Sequence, residues 1–107
     1  MASLSVKEKV HKLTLIDHTI QNLREQKQQF HSQVLEVSNA LSELSSARVA
    51  YKVLGGIMLE AHKPDIQKDL AEKQRILELR LSTIENQEKE LNIKAQAWRQ
   101  ELEQEGQ

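Results

Sequence analysis

Two long stretches without glycine or proline are the feature that most limits how this chain can fold. The first is 5–45, and from Ile16 onward its apolar residues recur at alternating steps of four and three once Lys27 is included. Before Ile16 the spacing is looser, because Lys9 occupies the expected position and Val10 lies beside it. This seven-residue period is typical of the narrow apolar stripe of a coiled coil rather than the broad face of a globular helix.

The second stretch, 65–105, follows directly after Pro64 and predicts another long helix, over about 64–105. One apolar series recurs at strict seven-residue steps, at Leu70, Leu77, Ile84, Leu91 and Trp98. The interleaved series is less apolar and consists of Ile66, Lys73, Arg80 or Leu81, Gln87 or Glu88, Ala95 and Leu102. Pro64 suits a first turn because its missing N–H would be unpaired there anyway, and Asp65 complements the positive helix end. We therefore expect the helix to begin near His62 or Lys63.

The two stripes match each other when the helices run antiparallel. Pairs at the same level would be Leu41 with Leu70, Val34 with Leu77, Lys27 with Ile84, Ile20 with Leu91, and Leu13 with Trp98. This register closes the chain at Gly55 and Gly56, midway between the helices. We therefore expect the helices to pair within one chain, and a parallel coil between chains is the alternative.

Basic residues interrupt both stripes, at Lys27, at Lys73 and, where the stripe passes through it, at Arg80. We expect these side chains to fix the register and to lay their aliphatic stems along the seam between the helices. The alternative is that they loosen the coil and let it flex.

The segment 48–61 has the pattern of a β-hairpin. Its first half alternates Val49, Tyr51 and Val53 with Arg48, Ala50 and Lys52, which is the period of a half-buried strand. Gly55 and Gly56 then form a strong turn signal, since both accept positive φ. Ile57, Met58 and Leu59 follow as a second short strand.

The length of the hairpin loop decides which side chains share a face. A two-residue loop places Tyr51 on the same face as Met58 and Glu60. A three-residue loop places Tyr51 with Ile57 and Leu59 instead, which is a cleaner apolar match. We expect the three-residue loop for this reason.

An isolated two-stranded hairpin is only marginally stable in water, and its outer edges carry unpaired N–H and C=O groups that recruit other strands. The two helices cannot pair with those edges. We therefore expect hairpins from several chains to build a sheet or barrel, which makes the protein an obligate oligomer. The predicted oligomerisation residues are Val49, Tyr51, Val53, Gly55, Gly56, Ile57 and Leu59.

The charge distribution argues against nucleic acid and membrane partners. The formal net charge is -1, and acidic and basic residues are interspersed, so no extended basic surface is expected. The first residues lack the apolar core of a signal peptide, and no run approaches the length of a membrane span. We expect a cytoplasmic protein.

The sequence also gives no sign of catalytic or metal chemistry. It has no cysteine, which excludes thiolate nucleophiles and thiolate metal sites. No two of His11, His18, His31 and His62 have the i,i+4 spacing that would place them side by side on a helix. We expect no metal, no cofactor and no enzyme activity.

Together these features resemble the β class of the prefoldin family. The resemblance is carried by VAYKVLGGIMLE, residues 49–60, and by LELRLSTIENQEKEL, residues 77–91, and it extends over essentially all of 1–107 as a single unit. A single hairpin between the helices, rather than two, favours the β class over the α class. The implied fold is mainly α: a long antiparallel helical-hairpin coiled coil with one short β-hairpin that assembles into an inter-subunit β-barrel.

The resemblance implies an ATP-independent molecular chaperone, a holdase. In that family two α and four β subunits join through β-barrels, and the tips of six coiled coils hold non-native proteins and pass them to a group II chaperonin. One departure is that His62 and Pro64 stand at the helix entry, where the family often carries an acidic cap. We expect a small local loss of stability there and no change of function.

Apolar residues continue near both chain ends, where the stripes are least regular. The predicted client-binding residues are Leu4, Val6, Val10, Leu13, Leu15, Trp98 and Leu102. The alternative is that these side chains only close the last turns of the coil. The alternative function is a structural coiled-coil adaptor that binds a single defined partner, although an adaptor has little reason to carry apolar excess at its free ends.

Overall fold

The computed structural model describes residues 5–105. Helix α1 spans Val6–Ser46, strand β1 Ala50–Leu54, strand β2 Ile57–Ala61 and helix α2 Lys63–Glu105. Two long helices with a short antiparallel β-hairpin between them are therefore the fold, and this part of the predicted fold class is confirmed.

Both helices begin at residues that accept hydrogen bonds from the first turn. The Ser5 hydroxyl accepts a bond from the Glu8 N–H at 3.2 Å, which satisfies one of the unpaired donors of α1. At the start of α2, the His62 carbonyl accepts bonds from the backbone N–H groups of Asp65 and Ile66. The Asp65 carboxylate lies 3.3 Å from Nδ1 of His62. Helix α2 thus begins where Pro64 and Asp65 predicted it.

The described residues form two compact parts. The terminal part comprises 5–28 and 82–105, and the central part comprises 29–81. In the terminal part Lys9 contacts Glu105, and Lys27 contacts Glu88. Residue numbers rise along α1 as they fall along α2, so the helices are antiparallel there.

The central part shows the same direction. Gln74 donates a 2.7 Å hydrogen bond to the Ser38 hydroxyl, and the Lys63 ammonium reaches the Ser45 carbonyl at 3.1 Å. These contacts lie within one helical turn of the register that the sequence predicts. The antiparallel pairing within one chain is therefore observed in each part.

The predicted stripe of α1 is the buried one. Its most buried members are Ile20, Leu23, Val37 and Leu44, each less than a tenth exposed. At its start Lys9 is 7% exposed whereas Val10 is 48% exposed. Lys9 therefore occupies the stripe position at which the sequence placed it, and Val10 lies beside the stripe.

On α2 the strict series is also confirmed, since Leu77 and Ile84 are buried. In the interleaved series Leu81 is half-buried and Arg80 is exposed. Lys73 is exposed and Gln74 takes its place, so the prediction of Lys73 on the seam is wrong. A seam alternates steps of four and three, and the position four residues after Leu70 is Gln74. Its amide remains hydrogen-bonded, which allows a polar side chain to lie there.

Glu88 and Lys27 form a polar layer within the terminal part. The Lys27 ammonium lies 2.9 Å from the Glu88 carboxylate, and the Arg24 guanidinium lies 3.5 Å from it. The hydrogen bond from Lys27, together with attraction from both cations, lowers the pKa of Glu88 although partial burial opposes the shift. Glu88 rather than Gln87 thus occupies the seam, and it does so as a charged partner of Lys27.

The hairpin has a two-residue loop, so the prediction of a three-residue loop is wrong. Leu54 pairs with Ile57, and Val53 pairs with Met58. The intervening Gly55 and Gly56 have φ of 55° and 81°. Positive φ at both positions is what a type I′ turn requires, and its twist matches that of the flanking strands. Turn geometry therefore outweighs the apolar match on which the prediction rested.

Lys63 joins the two helix ends in the central part. Its ammonium donates to the carbonyls of Ser45 at 3.1 Å and Ala47 at 3.0 Å. Helix α1 has no basic residue in its own last turn, so Lys63 supplies the positive charge that its unpaired carbonyls favour. A lysine at the start of α2 is unfavourable for α2 itself, and these bonds account for its presence.

The first prediction tests the seam. Leu77→Ala and Ile84→Ala should each lower the free energy of unfolding by about 1–3 kcal/mol, near or below the low end for core sites because a two-helix seam stays partly open to water. The measurement is denaturant unfolding followed by far-UV circular dichroism. Leu35→Ala and Ile93→Ala are matched controls, since these side chains are 62% and 64% exposed. Losses no larger than those of the controls would contradict the seam assignment.

The second prediction concerns acid stability. Because the folded state lowers the pKa of Glu88, the stabilisation is complete above the ordinary glutamate pKa and is lost as pH falls through the lowered value. Between about pH 6 and pH 3, the wild type should therefore lose more stability than Glu88→Gln. Glu90→Gln, at an exposed position of the same helix, is the control. Equal pH dependence in wild type and Glu88→Gln would refute the charged pair.

Candidate assembly and client-binding surfaces

The β-hairpin of the central part exposes nearly all of its apolar side chains. Six of them, 49% to 66% exposed, are Tyr51, Val53, Leu54, Ile57, Met58 and Leu59. Ala50 alone is buried, at 8% exposure. We call these six side chains the hairpin surface. Large apolar side chains that are this exposed on a short hairpin normally mark a protein–protein contact.

The predicted oligomerisation residues all lie on or beside this surface. Tyr51, Val53, Ile57 and Leu59 belong to it, and Val49, 44% exposed, precedes the first residue of β1. The turn glycines have no atom within 4 Å of where a Cβ would stand, so positive φ rather than space requires glycine there.

Sequence reasoning missed Leu54 and Met58, which are as exposed as the predicted members. The signal was present, because both are large apolar residues beside the turn. They were left out because the strand was treated as half-buried, with one apolar face only.

The predicted client-binding residues separate into two groups in the terminal part. Val6, Val10 and Leu15 are 53%, 48% and 53% exposed. We call these three the helix-end surface. The half-buried group, which lies on the seam, consists of Leu13, Trp98 and Leu102. Leu4 lies outside the described residues.

Beside the helix-end surface, the seam ends in a buried charge. Lys9 is 7% exposed, and its ammonium lies 3.5 Å from the Glu101 carboxylate and within hydrogen-bonding distance of Glu105. The hydrogen bond to Glu105 and attraction from both carboxylates raise the pKa of Lys9, although burial opposes the shift. These contacts therefore favour the charged form of Lys9.

Sequence reasoning placed Lys9 at a stripe position but gave its charge no partner, although a signal existed. Glu101 and Glu105 are spaced i,i+4, and the antiparallel register brings that turn of α2 opposite Lys9. A lysine on an apolar stripe facing two carboxylates on one helical face is a recognisable pattern.

Two further contacts hold the helices near this position. The Lys12 ammonium lies 5.9 Å from the centre of the Trp98 ring, within the range of a cation–π contact. The Arg99 guanidinium lies 2.7 Å from the Asp17 carboxylate. Half-buried Trp98 thus packs as a seam residue under a cation, which leaves the helix-end surface as the exposed apolar area among the predicted client-binding residues.

The structure shows no arrangement for other chemistry over residues 5–105. The four histidines are exposed, and no three histidine or carboxylate side chains in this range could hold a metal ion. None of the described helices combines the length and apolar character needed to span a bilayer.

The sequence of the chain is similar to those of known prefoldin subunits. The family model described as prefoldin subunit matches residues 7–107. A prefoldin subunit beta of Thermococcus onnurineus is 33% identical over 86 residues, covering 78% of this chain and 74% of that protein. One of Thermococcus kodakarensis is 36% identical over 78 residues, covering 70% and 67%.

A third relative matches a shorter segment. The prefoldin subunit beta of Sulfolobus acidocaldarius is 38% identical over 63 residues, which are 56% of this chain and 50% of that protein. The match thus spans half the length of this curated relative.

The fold has a close counterpart among solved structures. The crystal structure of the prefoldin beta subunit from Thermococcus strain KS-1 superposes with a TM-score of 0.87 at 28% identity, covering 97% of this chain and 96% of that one. The resemblance stated from the sequence is confirmed. On the family match and the identity to its beta subunits, the chain belongs to the prefoldin subunit family.

Proposed function

We propose that this chain is a subunit of an ATP-independent molecular chaperone that holds non-native proteins and transfers them to a group II chaperonin. The observation that carries the proposal is the hairpin surface, whose six large apolar side chains are about half or more exposed in the single chain. A chain of this kind is complete only in an assembly, and membership of the prefoldin subunit family gives that assembly its identity.

The partners follow from the hairpin. Strand edges that carry unpaired backbone groups favour pairing with further strands, which a β-barrel between subunits would provide. We propose that the chain joins α-type prefoldin subunits and other β copies in a hexamer of two α and four β subunits. Its place of action would be the cytoplasm.

Clients would bind at the free helix ends. Unfolded proteins expose apolar segments without fixed shape, so a general holder needs apolar surface that is accessible rather than a shaped pocket. Val6, Val10 and Leu15 supply such surface, and they lie beside a seam end that Lys9 keeps closed with Glu101 and Glu105. Each helix-end surface is small, so binding to one should be weak, and several on one assembly would raise the effective concentration.

The proposal includes no catalytic step and no cofactor. The resolved pKa shifts, at Lys9, Glu72, Arg75 and Glu88, arise from ion pairs between neighbouring side chains. Within the described range they do not converge on a concave site that could hold a substrate. The described residues therefore fit a protein that holds its clients through apolar contact and does not convert them chemically.

A single-partner adaptor is the competing function. One observation supports it: Leu35 and Ile93 are more than 60% exposed on the helices and belong to neither proposed surface. An adaptor would use such positions for one defined partner. A chaperone would protect several unrelated clients through its helix ends.

The third prediction tests client binding. Deleting the first dozen residues, or those beyond Lys94, should impair holding while the assembly remains intact. Val6→Ser, Val10→Ser and Leu15→Ser combined form a milder variant that leaves the seam in place. We expect this variant, too, to give clients weaker protection from aggregation, because it removes exposed apolar surface.

The measurement is light scattering of several unrelated aggregating proteins without nucleotide, with sizing of the complex alongside. Leu35→Ser, at a position that is 62% exposed and outside the helix-end surface, is the control. Undiminished protection by an assembled complex without helix ends would refute the proposed client site. Protection of a single client would favour the adaptor.

The fourth prediction tests assembly. Val53→Asp should abolish the oligomer while helicity largely persists, because an unpaired carboxylate would be desolvated between subunits. Leu35→Asp is the control, since Leu35 and Val53 are both 62% exposed. The measurement is mass by sedimentation together with far-UV circular dichroism. An intact complex with Val53→Asp would exclude the hairpin from the interface.

A further inference from the structure

The seam of the terminal part is packed less tightly near the chain ends than farther in. The inner side chains are each less than a tenth exposed, and they are Ile20, Leu23, Ile84 and Ala95. The outer side chains are only half-buried, and we call these three, Leu13, Trp98 and Leu102, the end layers. A half-buried side chain contributes less to closure of the seam, because less of its apolar area leaves water. Apolar packing is therefore weaker at the end of the seam.

Charged contacts between the helices are concentrated beside these end layers. The Lys9 ammonium lies 3.5 Å from the Glu101 carboxylate and within hydrogen-bonding distance of Glu105. The Arg99 guanidinium lies 2.7 Å from the Asp17 carboxylate. Attraction between charges thus supplements apolar contact at this end of the seam.

Lys9 is the last buried residue towards the start of α1. Residues 5–8, which precede it, are all exposed. The carboxylates that hold Lys9 remain in contact with water, since the side chains of Glu101 and Glu105 are 54% and 39% exposed. If the helices part here, the ammonium and both carboxylates regain full hydration, which offsets much of the lost attraction. An apolar side chain at this position would regain nothing of the kind, so a lysine makes the end easier to open.

We propose that the end of the seam is a conformational switch: the contacts of Lys9 with Glu101 and Glu105 hold the helices together, and their release exposes the end layers as additional apolar surface for a non-native protein. This inference rests on the proposed client binding at the helix ends and extends it from a fixed surface to one that grows on opening. A client that covers the end layers binds only the open state, so it shifts the chain towards that state. When the client leaves, the charged contacts close the end again.

The first experiment measures opening without a client. Trp98 is the only tryptophan of the chain, so its fluorescence reports on the end layers. Combined Glu101→Gln and Glu105→Gln should increase quenching of Trp98 by acrylamide, because the ammonium of Lys9 then lacks its charged partners. Lys9→Met should decrease the quenching, because an unbranched apolar side chain packs into the seam and regains no hydration of a charge on opening.

Matched controls and a salt series complete this experiment. Lys7→Met and Glu103→Gln remove charges at exposed positions of the same helix turns and should leave the quenching of Trp98 unchanged. Quenching of the wild type should rise with salt, which screens the partly exposed carboxylates, and quenching of Lys9→Met should rise less. Unchanged quenching in the double glutamine variant, or stronger quenching in Lys9→Met, would overturn the switch. Far-UV circular dichroism checks that the helices persist.

The second experiment asks whether opening serves client binding. The full chain with Lys9→Met, in its assembled complex, should protect aggregating proteins less well than wild type in light scattering. The helix-end surface is unchanged in this variant, so a loss of protection is due to the closed end layers. The double glutamine variant should protect at least as well as wild type.

The outcomes separate this inference from the proposed function. Wild-type protection by Lys9→Met, together with weaker protection by the triple serine variant of the helix-end surface, would overturn the switch and leave the client site in place. Wild-type protection by both variants would overturn the proposed client site itself.

Discussion

A seam between only two helices leaves one side of every layer open to water, and this limit shapes the rest of the molecule. Among the described residues no large side chain is wholly buried, although Ile20, Leu77 and Ile84 come within a few per cent. Each layer of such a seam contributes little to the free energy of unfolding. A stable seam therefore needs many layers. The limit explains two helices of 41 and 43 residues. The β-hairpin shows the same limit, because six of its large apolar side chains stay 49% to 66% exposed in the single chain.

The open seam also accounts for charges within the stripe. A side chain such as Lys27 can lie along the apolar layer while its ammonium reaches Glu88 at the edge, where water still approaches. Lys9 is more enclosed, at 7% exposure, and it has two carboxylates rather than one. Burial of a single charge is unfavourable unless partners compensate for the lost hydration. A charged layer tolerates fewer shifts of register than an apolar layer, because displacement by one turn leaves its ammonium unpaired.

The features predicted correctly from the sequence are those that the periodicity of its apolar residues determines. Both helices, the antiparallel register and the place of the hairpin follow from the spacing of apolar residues and from Gly55-Gly56. Lys73 was wrongly placed because it lies seven residues after Ile66, whereas Gln74, four residues after Leu70, keeps the alternating steps. Gln74 carries no apolar signal, and its hydrogen bond to Ser38 joins residues far apart in sequence.

The prediction of the hairpin loop was wrong for a different reason. The prediction assumed that only one face of the hairpin would be buried. A three-residue loop places Tyr51, Ile57 and Leu59 together on one face, so it was preferred. The turn glycines instead adopt φ of 55° and 81°, which fixes a two-residue loop. Candidate site residues could be predicted only where the spacing of apolar residues shows that a side chain lies off the seam and is exposed. Val6 and Val10 met that condition, but Leu13 and Trp98 could not be assigned until their packing on the seam was known.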